Sequence, residues 1–231
     1  MSKKLLAIVA HPDDESFGFG GTLAKYAREG VEIHVLCATR GEAGKTDREQ
    51  EKLGATREQE LLIASKILGV AKVEFLNYQD GTLSNNLYHE VAAKIEAKTK
   101  SFRPDVVITF DRLGISGHID HMFMSMVTTF VCNKFRRSIK LFYLCELETY
   151  TRLIKNYFIY FPPGYTREEM DVEIDISPVW EIKKQAMHAH QSQLHDVRRI
   201  LLLKRFFPKR EYFRVAFRGK KSTTPASSLF S

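Results

Sequence analysis

The sequence predicts a Rossmann-like α/β protein, with a mostly parallel sheet covered by helices on both faces. Two observations predict it. Short runs rich in Val and Ile recur through the first 110 residues, and the segments between them carry apolar residues at three- and four-residue spacing. The chain of 231 residues, 44% apolar with only 13 Gly and 7 Pro, also has the size and composition of one globular domain.

Each element can be justified in turn. "KLLAIVA" (4–10), "EIHVLCAT" (32–39), "KVEFLNY" (72–78) and "DVVITF" (105–110) read as buried strands. Between and after them, 20–29, 48–68, 86–100 and 119–137 read as surface helices with one charged face. Strands and helices that alternate at these lengths, joined by short turns, build a parallel sheet. After Lys140 the pattern changes to "KLFYLCE", "YFIYF" and "DVEIDIS", further strands at the sheet edge. A helix follows from Pro178 to about His195, with Ser177 as its cap and Pro178 in its first position. Residues 1–195 are thus expected to form the domain and 196–221 a basic C-terminal extension of it. The small, polar "STTPASSLFS" (222–231) is expected to be a disordered tail.

Charge narrows the choice of partners. The net charge is +7, yet residues 198–221 hold ten basic side chains against one acid, Glu211, so the rest of the chain is about −2. The basic balance therefore belongs to one segment and is no sign of a nucleic-acid-binding fold. Within it, "RRILLLKRFFPKR" (198–210) mixes aliphatic and aromatic residues with cations. That suits either peripheral contact with anionic lipid or a helix packed on the domain or on a second subunit. No run approaches the roughly 18 apolar residues of a membrane span. "MSKKLLAIVA" is too short and uncleavable to be a signal peptide, so a cytoplasmic location is expected. Cys37, Cys132 and Cys145, odd in number and set in apolar runs, read as reduced core thiols.

In open parallel sheets, ligands sit beyond the carboxyl ends of the strands. Two turns at such ends carry unusual residues: His11-Pro12-Asp13-Asp14-Glu15 after the first strand, and "DRLGISGHIDH" (111–121), with His118, Asp120 and His121, after the fourth. Either cluster alone could be acids decorating a helix N-terminus. Together they point to a metal. Three adjacent carboxylates repel one another unless a cation sits among them, and two imidazoles with a carboxylate suit zinc with a fourth position left for water. His118 and His121, three apart at a helix start, can face one cavity while Asp120 points elsewhere.

Two nucleotide-binding patterns fail on inspection. "TRGEAGKT" (39–46) has Thr39 where a phosphate loop needs glycine, and "GFGG" (18–21) has Leu23 at the third glycine position of a dinucleotide fingerprint and follows a turn full of acids.

"AHPDDE" (10–15), "TRGEAG" (39–44) and "GHIDH" (117–121) resemble the LmbE-like zinc de-N-acetylases, the PIG-L family that includes N-acetylglucosaminyl-phosphatidylinositol de-N-acetylase. The likeness extends in order through "ATREQELLIASKILGV" (55–70), "YQDG" (78–81) and "KKQAMHAHQSQ" (183–193); Ile119 stands where proline is frequent. The resemblance implies zinc held by His11, Asp14 and His121, with Asp13 as general base. It implies that His118 stabilises the oxyanion or protonates the leaving amine, and that Asp120 fixes an imidazole tautomer. Arg57 and Asp80 match positions that line the sugar pocket. The implied activity is hydrolysis of the N-acetyl group of an N-acetylglucosamine-type conjugate, in a protein that forms homo-oligomers. These roles are chemically coherent, because amide hydrolysis needs a nucleophile at neutral pH, a base beside it and help at the nitrogen. Two alternatives remain: a metal-containing sugar-binding module without turnover, and an amidase for a related thiol or sugar conjugate. "AHQSQ" (189–193) offers His190 or Gln193 to the cavity mouth, or a polar helix surface.

Overall fold

The computed structural model describes residues 2–45, 50–154, 160–217 and 225–231. In chain order it contains β1 (Lys4–Val9), α1 (Asp14–Phe17), α2 (Gly20–Arg28), β2 (Glu32–Thr39), α3 (Leu53–Leu68), β3 (Lys72–Tyr78), α4 (Tyr88–Phe102) and β4 (Val106–Phe110). There follow α5 (Gly114–Gly117), α6 (Ile119–Lys134), β5 (Lys140–Cys145), α7 (Glu148–Ile154), β6 (Val172–Asp175), α8 (Trp180–Ala189), α9 (Leu194–Lys204) and β7 (Arg210–Val215). The sheet order is β3-β2-β1-β4-β5-β7-β6.

The first five strands run parallel, as their near-continuous apolar character requires of strands covered on both sides. Leu5 to Ala10 are entirely sequestered from solvent, and every residue of β4 is buried. α2, α3 and α8 pack against one another, as do α4 and α6, which gives a helical layer on each face. The chain moves outward from β1 through β2 to β3 and then returns to place β4 on the other side of β1. That reversal opens a crevice beyond the carboxyl ends of β1 and β4, and both suspicious turns lie there.

The C-terminal third differs from expectation in three places. "DVEIDIS" supplies β6, but β6 does not pair with β5, because β7 is inserted between them and antiparallel to both. The basic segment therefore forms an internal strand. Its single acid explains why it is fixed there: Glu211, buried on β7, accepts the N–H groups of Gly21 and Thr22 at 2.9 and 2.7 Å and takes the ammonium of Lys183 at 2.6 Å. It thus satisfies two otherwise orphaned donors at the start of α2.

The predicted tail is also corrected. Residues 225–231 are packed: Ala226 bridges to Val172, Leu229 is fully buried and its N–H donates to the Tyr26 hydroxyl at 2.7 Å. One burying leucine and one aromatic, Phe230 against Tyr26, outweigh the polar composition. Residues 222–224 of that expected tail, and 157–159 of the expected strand "YFIYF", lie outside the described residues; Tyr160 and Phe161 are not in a strand. The helix expected to reach His195 stops at Ala189, and a new helix, α9, begins at Leu194. Cys37, Cys132 and Cys145 are buried free thiols.

Candidate active site

The crevice is a cavity of about 700 Å³ whose wall includes His11, Asp13, Asp14, Arg57, Asp80, His118 and His121. Of the residues expected in the site, only Asp120 lies behind this wall, buried against His11.

The two turns meet. His11 Nδ1 lies 3.2 Å from His121 Nε2, His121 Nε2 lies 3.2 Å from Asp14 Oδ1, and His11 Nδ1 lies 3.7 Å from Asp14 Oδ2. Tetrahedral ligands on bonds of about 2.0–2.1 Å stand about 3.3 Å apart, so these three groups fit three vertices around one small cation. His118 joins the cluster, its ring centroid 4.7 Å from His11 and 5.1 Å from His121.

Hydrogen bonds on the outer sides of the rings distinguish ligands from donors. His11 Nε2 faces Asp80 Oδ1 at 3.0 Å and Asp120 Oδ2 at 3.2 Å, so that nitrogen carries the proton and Nδ1 keeps its lone pair. His121 Nδ1 lies 3.0 Å from the Gly114 carbonyl, an acceptor only, which leaves the Nε2 lone pair toward the cluster. His118 is opposite: its Nδ1 accepts the Asp120 N–H at 3.2 Å, which makes Nε2 the N–H side. His11, Asp14 and His121 could therefore hold a metal, whereas His118 is set up as a hydrogen-bond donor.

Electrostatics agree. Burial disfavours a charged His11, but Asp120, Asp80 and Asp14 outweigh it and raise the imidazole to about 10. The second proton of that ring sits on Nδ1, the position where a bound cation would take its place. Burial also works against the charge on Asp14, yet His121 and His11 hold its carboxyl well below the usual range. Burial lifts Asp13 to about 7 against the pull of Arg57, and burial with the neighbouring His121 and His11 lowers His118 to about 4.

Asp13 sits at φ +115°, a left-handed backbone that costs a non-glycine residue about 1–3 kcal/mol. Its peptide is held at both ends. Arg57 Nη2 donates to the Pro12 carbonyl at 2.6 Å and to Asp13 Oδ2 at 2.8 Å, while the Asp13 N–H donates to Glu15 Oε2 at 3.1 Å. Glu15 in turn accepts from His190 Nε2 at 2.8 Å, and both are entirely buried. "TRGEAG" gains a role here, because a Cβ at Gly41 or Gly44 would collide with the Arg57 guanidinium.

Arg57 and Asp80 thus line the cavity with most of their polar atoms engaged: the two Nη groups of Arg57 donate to Gly41, Pro12 and Asp13 and its Nε has no partner among the described residues, and Asp80 holds His11 and accepts the Ala43 N–H. Of the pair offered by "AHQSQ", Gln193 lines the cavity, but His190 is behind the wall. Sequence reading did not find the remaining lining, which includes Glu146, Tyr150, Arg199, Ile200 and Leu203. The sequence signal for Arg199, Ile200 and Leu203 is an aliphatic-basic stretch that core packing explains equally well.

Comparison with known proteins fits this geometry. Residues 6–132 match the model of the PIG-L family, described as GlcNAc-PI de-N-acetylase. The chain belongs to the PIG-L family. A relative from Mycobacteroides abscessus, 1D-myo-inositol 2-acetamido-2-deoxy-alpha-D-glucopyranoside deacetylase, is 30% identical over 84% of this chain and 82% of its own. The homologous deacetylase of Mycobacterium sp. (strain KMS) is 30% identical over 83% and 74%. Among solved structures, N,N'-diacetylchitobiose deacetylase from Pyrococcus horikoshii superposes with TM-score 0.69 at 26% identity, covering 93% of this chain and 84% of that one. The Pseudomonas putida 4-carboxy-2-hydroxymuconate hydratase GalB superposes with TM-score 0.73 at 18% identity, covering 96% and 99%, and shares the fold alone. A hydratase on the same scaffold means that the chemistry must be argued from the family and the site.

Proposed function

We propose that this chain is a zinc-dependent hydrolase that removes the acetyl group from an N-acetylglucosamine-type sugar conjugate, releasing acetate and the free amine. The observation that carries the reading is the tautomer pattern: two imidazole lone pairs and the Asp14 carboxylate converge on one point, and a third imidazole presents an N–H beside them. In this reading His11, Asp14 and His121 hold the metal. The chemistry supplied there by zinc would be Lewis-acid polarisation of the amide carbonyl and a water pKa lowered to about 7.

The chain's own residues supply the rest. Asp13 takes one proton from the attacking water and delivers it to the amide nitrogen as the C–N bond breaks, so that the neutral amine and acetic acid leave, and the acid passes its remaining proton to solvent to become acetate. Its carboxyl, lifted by burial to about 7, suits both halves of that transfer. His118 donates Nε2–H to the carbonyl oxygen as it gains negative charge. Its depressed pKa supports this role over that of proton source to the amine. Asp120 and Asp80 hold the His11 tautomer, and Arg57 holds Asp13.

The relatives' names support an N-acetylglucosamine conjugate as substrate class, with inositol among the partners of the sugar. Buried, unpaired thiols support a reducing compartment such as the cytoplasm, and association into homo-oligomers belongs to the same reading. No helix among the described residues is long and apolar enough to cross a membrane.

The test is metal analysis of the isolated protein together with acetate release from N-acetylglucosamine joined to inositol, phosphatidylinositol, malate or a second sugar. Bound zinc with acetate release from at least one conjugate is expected. Bound zinc with no release from any of them would instead favour a binding module without turnover.

A further inference from the structure

Exposed large apolar side chains are not scattered evenly on this molecule. Of ten such residues among the described ones, six belong to segments that line the cavity: Leu113 and Ile119 flanking the 114–118 turn, Leu153 on α7, Tyr160, and Leu202 and Phe206 on and just beyond α9. The segments are in contact. Tyr150 of α7 meets Phe207 edge-on at 5.3 Å and carries the Lys204 ammonium over its ring, while Gly117 lies so close to the Tyr160 carbonyl that a Cβ would not fit.

α9 shows how this surface is organised. Ile200, Leu203 and Lys204 turn to the cavity and Val197 is fully buried, so the helix already has its packing face. Its other stripe, Arg198, Leu202, Arg205 and Phe206, recurs at i, i+4, i+7 and i+8 and is exposed throughout, with Leu202 at 55% and Phe206 at 75%. Arg205 retains helical dihedrals, so the stripe is continuous. No acid lies on it. Within "RRILLLKRFFPKR" the aliphatic residues Ile200 and Leu203 line the cavity, and the buried residue of the helix, Val197, precedes that stretch.

We infer that the α9 stripe is a docking surface for anionic lipid. Alternating cations and large apolar side chains can pair with lipid phosphates while the apolar groups enter the acyl boundary. A second copy of the chain is a poorer occupant, because a two-fold contact through this stripe would bring the two arginines of one copy onto a surface that carries two more and no acid to pair them.

The test is co-sedimentation of the full chain with vesicles of phosphatidylcholine alone or mixed with phosphatidylglycerol, at low and high salt. Binding to the anionic vesicles at low salt, lost at high salt, is expected. Arg198→Glu/Arg205→Glu should weaken it by about thirtyfold or more, since each cation near such a surface contributes on the order of 1 kcal/mol. Leu202→Ser/Phe206→Ser should weaken it separately, and light scattering should give the same mass for all three proteins. None of these four residues touches the cavity, so acetate release from a freely dissolved conjugate should not change. Absence of binding to anionic vesicles at low salt overturns the inference, as does binding by both variants as strong as that of the unchanged chain. A dimer that the Leu202→Ser/Phe206→Ser variant dissolves would reassign the stripe to self-association.

Discussion

Where β1 and β4 end, the cavity wall consists of His11, Asp13, Asp14, His118 and His121, each tied by hydrogen bonds to a second buried group. The wall contributed by α7 and α9 sets Tyr150, Ile154, Ile200 and Leu203 among charged groups: Lys204 on Glu146 at 2.9–3.0 Å, His195 on Asp196 at 3.0 Å, and Arg199. The first region is a set of imidazoles and carboxylates fixed by hydrogen bonds to buried groups, and the second is aliphatic and aromatic area interspersed with charged side chains. Groups that must bind a cation and move a proton need fixed tautomers and angles, whereas a surface that receives the rest of a substrate needs only shape and hydrophobicity. Substitutions in the first region should therefore act on metal and turnover, and those in the second on KM.

The largest effects test the division inside the first region. His11→Ala and His121→Ala should lose zinc and reduce turnover by about three orders of magnitude or more. Asp13→Ala should keep zinc and lose about 10²- to 10⁴-fold in kcat, the usual contribution of a positioned base. Metal analysis beside acetate-release kinetics separates the two classes. An Asp13→Ala protein with wild-type turnover would remove the base assignment and leave the metal site standing.

Next comes a pH dependence. Asp13 must be ionised to act as base, so the rate rises with pH as its carboxyl loses a proton. The Arg57 guanidinium, 2.8 Å away, favours the ionised form and opposes burial. Arg57→Gln removes that help and should move the acid limb of kcat/KM to higher pH by about one unit, whereas Arg57→Lys should move it less. A limb that stays in place in the glutamine variant would detach Arg57 from the titration.

How legible all this was differs between the same two regions. His11, Asp13, Asp14, His118, Asp120 and His121 were readable because carboxylates and imidazoles packed into two turns are expensive without a use, and the strand period placed both turns at one sheet edge. The parallel half of the fold was readable from the same period. β7 was not, since "REYFRV" lies inside a run of cations, and it is the burial of Glu211, Tyr212 and Phe213 together that shows a strand interior. The α9 wall was hidden because Ile200 and Leu203 look like any core aliphatic. Arg57 and Asp80 were found at the site, but which partner each holds depends on distances that no spacing encodes. His190 was read as a surface or mouth residue, and its burial behind Glu15 follows from the break between α8 and α9.

His190 gives a smaller effect of the first kind. It touches neither the cavity nor the metal cluster, and its Nδ1 has no hydrogen-bond partner. Its one polar contact holds Glu15, which holds the Asp13 peptide in its left-handed conformation. As a positioning residue it should affect kcat alone: His190→Ala should lower kcat by about tenfold with KM and zinc content unchanged. His190→Gln, which keeps an N–H donor, should recover much of the loss. If the two variants are equally impaired, or if both lose zinc, the residue serves packing and the chain from His190 to Asp13 carries no function.

The smallest expected effect belongs to the other wall. Ile200→Val deletes one methylene from the cavity lining, worth about 0.8 kcal/mol when that surface is covered, or about fourfold in KM. The change should occur only for conjugates whose second group reaches α9, and should vanish for N-acetylglucosamine alone, with kcat constant in both cases. Comparing the two substrates on one variant makes the measurement internal, so an effect on folding or metal loading cannot imitate it. A fall in kcat for the bare sugar would mean that the α9 wall shapes the reacting centre, and the contrast between a reacting region fixed by hydrogen bonds and a wall that only receives the rest of the conjugate would fail.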